Sequence, residues 1–187
     1  SDPGPTLVIP ITDRYVVQGT DIIESAVDGV NVVFGGLDNL TIGGAAAGQN
    51  VTIGRSVAAI GGDDGVDITL LPATLLGATE HAVTIQNTTI SRSGDDGVTV
   101  NATGTPGGMI SAINIANSTI TLSGDDGFVI RQTSRVVAAN ITDSNITNNI
   151  GRGVDIFVTN TATARMFLTD AVYNIGRTAL VVQALAE

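Results

Sequence analysis

Three copies of Gly-Asp-Asp-Gly, beginning at Gly62, Gly94 and Gly124, each set two carboxylates side by side in front of a turn-forming glycine. Two chemistries are open to such pairs. Adjacent carboxylates are hard-oxygen ligands suited to Ca²⁺, and paired carboxylates serve as general acid and base when their surroundings push their pKa values apart. A structural role is equally available, because Asp-Gly is favourable turn chemistry. The candidate metal ligands are Asp63, Asp64, Asp95, Asp96, Asp125 and Asp126. The candidate catalytic groups are Asp95, Asp96 and Asp126, with Arg152 beside them.

The elements that must position these pairs emerge from an internal repeat. Counting back 13 residues from the apolar residue after each turn gives the segments 53–66, 85–98 and 115–128, each opening on Ile. The same template finds 141–154 and 17–30, and a copy two residues shorter at 168–179. The starts are unevenly spaced while the segments keep nearly one length, so insertions fall between them as loops. Stacked, the segments predict a column of Asp28, Asp64, Asp96 and Asp126, continued by Arg152 and Arg177. A second column of Asp63, Asp95 and Asp125 runs beside it.

Apolar residues alternate in Val83-Thr84-Ile85, Val98-Thr99-Val100 and Ile113-Asn114-Ile115, the two-residue period of strands that face one core. Three short strands per repeat, broken by Gly, Asn, Asp and Ser, fit a coil that returns above its own start. One coil cannot bury its inner face alone, so stacking supplies the core. The expected fold is all-β: a single right-handed parallel β-helix of about six coils over residues 1–187. Residues 1–16 are expected as an N-terminal cap and 178–187 as a terminal strand, docked on another copy or cut from a longer helix.

At a coil spacing of about 4.8 Å, stacked unit charges repel by roughly 1 kcal/mol in water and by more at lower effective dielectric. Three things could offset this repulsion: Ca²⁺ between coils, N–H groups of the turn's own Gly and Ser, or Arg152.

Composition narrows the function. The net charge is −10 and the chain has no Lys, which argues against nucleic acid and anionic membranes as partners. Absence of Cys removes disulfides and thiol chemistry. No apolar run is long enough to span a membrane as a helix. His81, the single histidine, lies in a loop with no second His and reads as a surface residue. The stretch 42–48 lacks the Lys-Ser/Thr of a phosphate loop and reads as an inter-strand loop.

The stretches SGDDGVTV and SGDDGFVI, preceded by IQNTTISR and INIANSTITL, resemble the repeats of pectin-lyase-like right-handed β-helix proteins. That superfamily includes polysaccharide lyases, polygalacturonases, tailspikes and autotransporter passengers, so the resemblance implies architecture before activity. Gly94-Asp95-Asp96 and Gly124-Asp125-Asp126 look like the paired-Asp element of polygalacturonases. The Asn-Thr-Asp, Gly-His-Gly and Arg-Ile-Lys motifs of that family are absent. Resemblance to pectate lyases would give Arg152 the part of the base, with Ca²⁺ on the aspartates.

The reading preferred on the sequence is an extracellular structural or adhesive module, with polysaccharide or other surface molecules as partners and end-to-end association through 178–186. The alternative is a polysaccharide lyase or hydrolase acting on acidic polysaccharide at the Asp95/Asp96/Asp126 face.

Overall fold

The computed structural model describes residues 14–23, 28–34, 39–54, 64–70, 82–102, 110–132, 136–159, 163–169, 172–173 and 178–185. They contain strands and turns, with no helix among them. The first coil holds β1 (Arg14–Val17), β2 (Thr20–Ile23) and β3 (Val30–Phe34), and the second β4 (Asn39–Ile42), β5 (Val51–Gly54) and β6 (Val66–Leu70). The third holds β7 (Ala82–Gln86), β8 (Thr88–Ser91) and β9 (Val98–Ala102); the fourth holds β10 (Ile110–Ala116), β11 (Thr119–Thr121) and β12 (Phe128–Gln132). The fifth has β13 (Val136–Thr142), β14 (Asn145–Thr147) and β15 (Arg152–Thr159), and the sixth β16 (Thr163–Thr169), β17 (Val172–Tyr173) and β18 (Thr178–Leu185).

Every strand pairs in parallel with its counterpart three places on, giving three six-stranded sheets, β1-β4-β7-β10-β13-β16, β2-β5-β8-β11-β14-β17 and β3-β6-β9-β12-β15-β18. This is the expected right-handed parallel β-helix, the hand that parallel crossovers take.

The period-two pattern is realised directly: β6 and β7 alternate buried and half-buried residues along their length. Inward residues stack in aliphatic files. Ile42, Ile85, Ile115 and Ile141 lie on the first sheet, Ile53, Ile90, Ile120 and Ile146 on the second, and Val66, Val98, Phe128 and Val154 on the third, all of them buried. Burying each side chain stabilises by about 1.5–3 kcal/mol before conformational entropy is counted. Phe128 is the one aromatic ring in these files; every other place is filled by a branched aliphatic side chain stacked on the one a coil away.

Register corrects the sequence template at two places. In the second coil Ile42, not Ile53, aligns with Ile85; Ile53 belongs to the second sheet, opposite Ile90. That coil carries longer connections both before and after β5, and by coincidence the spacing from Ile53 to Val66 equals the spacing from Ile85 to Val98. In the sixth coil Leu180, not Ala179, aligns with Val154, so Thr178 rather than Arg177 stands opposite Arg152. The column therefore ends at Arg152. Arg177, Asp63, His81 and the proposed capping segment before Arg14 lie outside the described residues.

The 43–50 connection is an inter-strand loop held by one contact of its own and one from the third coil. Asn87 Nδ2 donates to the Gly44 carbonyl at 2.8 Å and Ala46 N–H to Gln49 Oε1 at 3.0 Å.

Candidate functional site

Between the second and third strands of each middle coil the chain bends through a residue in the left-handed region, Arg92 (φ 58°), Leu122 (φ 61°) or Asn148 (φ 60°). Non-glycine residues occupy that region only when their surroundings hold them there. Here the neighbouring coil does so: Arg92 N–H donates to the Thr121 carbonyl at 3.1 Å, and Gly124 N–H to the Ser93 carbonyl at 3.0 Å. The turn then presents Asp95 and Asp96, or Asp125 and Asp126. In the fifth coil Gly151 and Arg152 take these places, as shown by the bonds Asp125 N–H to Asp95 O (3.0 Å) and Gly151 N–H to Asp125 O (2.7 Å).

Glycine after the column residue is dictated by contact. A Cβ on Gly97 would lie 2.3 Å from Ile120 Cγ2 and 2.5 Å from the Gly127 carbonyl oxygen; one on Gly127 would lie 2.3 Å from Ile146 Cγ2 and 2.6 Å from the Gly153 oxygen. The same glycine donates along the stack, Gly97 N–H to Asp126 O at 2.9 Å. The repeated Asp-Gly is thus fixed by two requirements at once, a side-chain acceptor and the lack of a side chain.

The aspartates form a ladder. Asp28 Oδ1 accepts the backbone N–H of Asp64 at 3.1 Å, Asp64 Oδ1 that of Asp96 at 3.0 Å, and Asp96 Oδ1 that of Asp126 at 2.9 Å. Asp126 Oδ1 accepts the N–H of Arg152. The offset to stacked charge is therefore the next coil's column N–H. Of the turn's own Gly and Ser N–H groups, another of the three candidates for that role, those of Gly97 and Gly127 donate to carbonyls of the next coil and that of Ser123 to Asn149 Oδ1. Charge-assisted bonds of this kind are stronger than neutral ones.

The second carboxylate oxygens meet the face of the third sheet. Asp96 Oδ2 accepts from Thr99 Oγ1 at 3.1 Å and from Arg131 Nη2 at 3.3 Å. Asn31 Nδ2 donates to Asp28 Oδ2 at 2.6 Å and to Asp67 Oδ2 at 3.3 Å, and Asn101 Nδ2 donates to Asp67 Oδ1 at 3.2 Å. Arg152 Nη1 lies 2.5 Å from Asp155 Oδ2 and 3.9 Å from Asp126 Oδ2.

Asp96 and Asp126 are buried, at 1% and 4% exposure, whereas Asp95 and Asp125 are exposed. Burial raises the Asp64 pKa to about 6; the charges of Asp96 and Asp67 push the same way, against hydrogen bonds from Thr99 and the Asp96 backbone that lower it. It also raises Asp67, Asp96 and Asp126, with Asp28, Asp95 and Asp125 respectively pushing in the same direction.

Of the metal ligands expected from sequence, carboxylate oxygens of Asp64, Asp95 and Asp96 lie within 4.8 Å of one another, and so do those of Asp96, Asp125 and Asp126. Asp96 belongs to both groups. Of the catalytic candidates, Asp96 lies with Asp95 in one of these groups and with Asp126 in the other, Asp95 and Asp126 share none, and Arg152 adjoins Asp126. Its guanidinium, however, is committed to Asp155.

Sequence reasoning missed Thr99, Arg131, Asp67, Asn101 and Asp155. Their signal was spacing: Asp67, Thr99 and Asp155 share the slot three residues after the column with Asn31 and Val129, and Asn101 and Arg131 pair in the slot five residues after it, both slots lying on the strand side next to the ladder. No protein-family model matches this sequence, and no curated protein matches it.

Proposed function

We propose that this chain is a non-catalytic β-helix module of a secreted or cell-surface protein, a structural or adhesive segment whose repeats are similar to those of pectin-lyase-like β-helices. One observation carries the reading: the column carboxylates, buried at Asp96 and Asp126 and half-buried at Asp28 and Asp64, cap backbone N–H groups of the following coil, rung after rung, over four successive junctions. A catalytic pair works because its members are made unlike each other and unlike their surroundings. Here the turns of the third and fourth coils are near copies, and the one arginine in the column is held by Asp155.

The test is a panel of uronate and neutral polysaccharides, read by reducing ends and by the absorbance of unsaturated products. The expected result is no product above buffer. Turnover that disappears in Asp96→Asn would overturn the proposal in favour of a lyase or hydrolase at the Asp95/Asp96/Asp126 face. End-to-end association through Thr178–Leu185 belongs to the same reading, and light scattering that finds a monomer at high micromolar concentration would remove that part.

A second reading, Ca²⁺ reinforcement of the ladder, is favoured by the two groups of three carboxylates. A ligand that binds only the folded state raises the melting temperature with its concentration. Unchanged melting with added Ca²⁺ and with chelator would leave the ladder to its hydrogen bonds alone.

A further inference from the structure

Aspartate followed by glycine is the pair most open to ring closure, because no side chain shields the glycine nitrogen from the aspartate carboxyl. The chain has four such pairs, Asp28-Gly29, Asp64-Gly65, Asp96-Gly97 and Asp126-Gly127, one in each of the first four coils. The fold does not allow the glycine to change. A Cβ on Gly29 would lie 2.4 Å from Ile53 Cγ2 and 2.6 Å from the Gly65 oxygen, and one on Gly65 would lie 2.4 Å from Ile90 Cγ2 and 2.6 Å from the Gly97 oxygen.

In all four pairs the next coil holds both reacting groups. The nitrogens are tied through their protons: Gly29 N–H to Asp64 O at 3.1 Å, Gly65 N–H to Asp96 O at 3.0 Å, Gly97 N–H to Asp126 O at 2.9 Å and Gly127 N–H to Arg152 O at 2.8 Å. The carboxylates are tied by the ladder to the column N–H of that same coil. Ionisation adds little protection, because the carboxyl reacts when protonated and burial raises Asp64 to about 6 and lifts Asp96 and Asp126 as well. The safeguard is closure of the next coil.

We propose that the four Asp-Gly peptides are self-modification sites gated by the coil that follows: open, they convert to isoaspartate, and closed, they are inert. When that coil lifts, the glycine nitrogen attacks Asp Cγ. A C–N bond forms, the nitrogen's proton and the carboxyl's OH leave as water, and a cyclic imide results. Water then adds at either imide carbonyl, and addition at the former main-chain carbonyl gives isoaspartate. Water is lost and regained, so no co-reactant is needed. The backbone now runs through the side-chain methylene and is longer by a carbon. The third sheet begins two residues after each of these aspartates and pairs residue for residue from β3 to β15, so the added length breaks its register. A coil that has opened and reacted is barred from closing.

The experiment holds the full chain at neutral pH, folded and in urea, and follows isoaspartate at each site by peptide fragmentation. Asp67 and Asp155, each followed by isoleucine, are the slow controls. Folded, the four sites should react about a hundredfold or more slowly than in urea, as groups do that react only on local opening. Ser118→Ala loosens the junction of the third and fourth coils, and Ser144→Ala that of the fourth and fifth. The first variant should raise isoaspartate most at Asp96, the second most at Asp126. If either fails to fold, the comparison of the folded with the unfolded native chain still decides. Chains that carry isoaspartate should not regain the native melting transition when urea is removed. Equal rates folded and unfolded, an equal rise at all four sites in a folded variant, or recovery of the transition by modified chains would each overturn the proposal.

Discussion

The bends after the first and second strands of a coil solve one problem with opposite materials. After the first strand, Asn87, Asn117 and Asp143 take left-handed backbone near φ 47–48°. The next residue, Thr88, Ser118 or Ser144, turns a hydroxyl inward, donating to the carbonyl two residues back at 2.7–2.9 Å. The same hydroxyls accept from the neighbour: Thr88 N–H to Ser118 Oγ at 3.2 Å and Ser118 N–H to Ser144 Oγ at 3.1 Å. All three residues are buried at 1% exposure. After the second strand the acceptor is an aspartate, and the bond runs the other way along the axis. Both bends satisfy N–H groups of the stack, but only the acidic one does so with a charged acceptor. Stacking therefore does not require charge, and the acidic bend makes the stack sensitive to pH.

The largest effect that would break this comparison is steric. Gly97→Ala forces a Cβ against backbone that cannot withdraw, and a loss of roughly 3 kcal/mol is expected, read as a fall in the urea midpoint. Next come the acceptors. Asp96→Ala strands the Asp126 N–H and is expected to destabilise by about 1–3 kcal/mol. Asp96→Asn keeps an acceptor without charge, so its stability at neutral pH should stay within about 0.5 kcal/mol of the native value or rise above it. Ser118→Ala strands the Thr88 N–H and should also cost about 1–3 kcal/mol. A loss in Asp96→Asn equal to that in Asp96→Ala would mean that charge, not the acceptor, holds the acidic bend.

The smallest effect is the most specific. A carboxyl whose folded pKa is raised binds more protons folded than unfolded, so stability falls as pH rises. For Asp64 the contribution is fully present below the ordinary 3.8 and is lost as pH rises through about 6. Asp67, Asp96 and Asp126 act in the same direction. The melting temperature should therefore be higher near pH 4.5 than near pH 7.5, with Asp64→Asn flattening the profile and Ser118→Ala shifting it without changing its shape. A profile that rises with pH would show these acids to be stabilised as anions, by metal or by more cation than Arg131 and Arg152 provide.

Much of this was legible in the sequence because the repeat is written twice, in apolar alternation and in Asp-Gly. The coil count of about six, three short strands per coil and the column from Asp28 to Arg152 follow from those two signals. The second-coil slip arose where they disagreed: Ile53 has the right residue type and the right distance from its turn, and only pairing with Ile90 reveals its sheet. The ladder's donors were hidden for a different reason. A backbone N–H carries no sequence signature, so the sequence offers Ca²⁺, Arg152 or the N–H groups of the turn's own Gly and Ser, whereas the donor is the N–H of the next coil's column residue. Arg131 was missed because it reaches Asp96 one coil back, 35 residues away in sequence.

The opposed directions of the two bends also make the coil a unit of length. At the junction of the third and fourth coils, one bend lends an acceptor forward through Asp96 and the other lends one backward through Ser118. A new coil spliced in at that point would find on each side the groups its predecessor left, and the chain can lengthen or shorten by whole coils while every seam stays chemically the same.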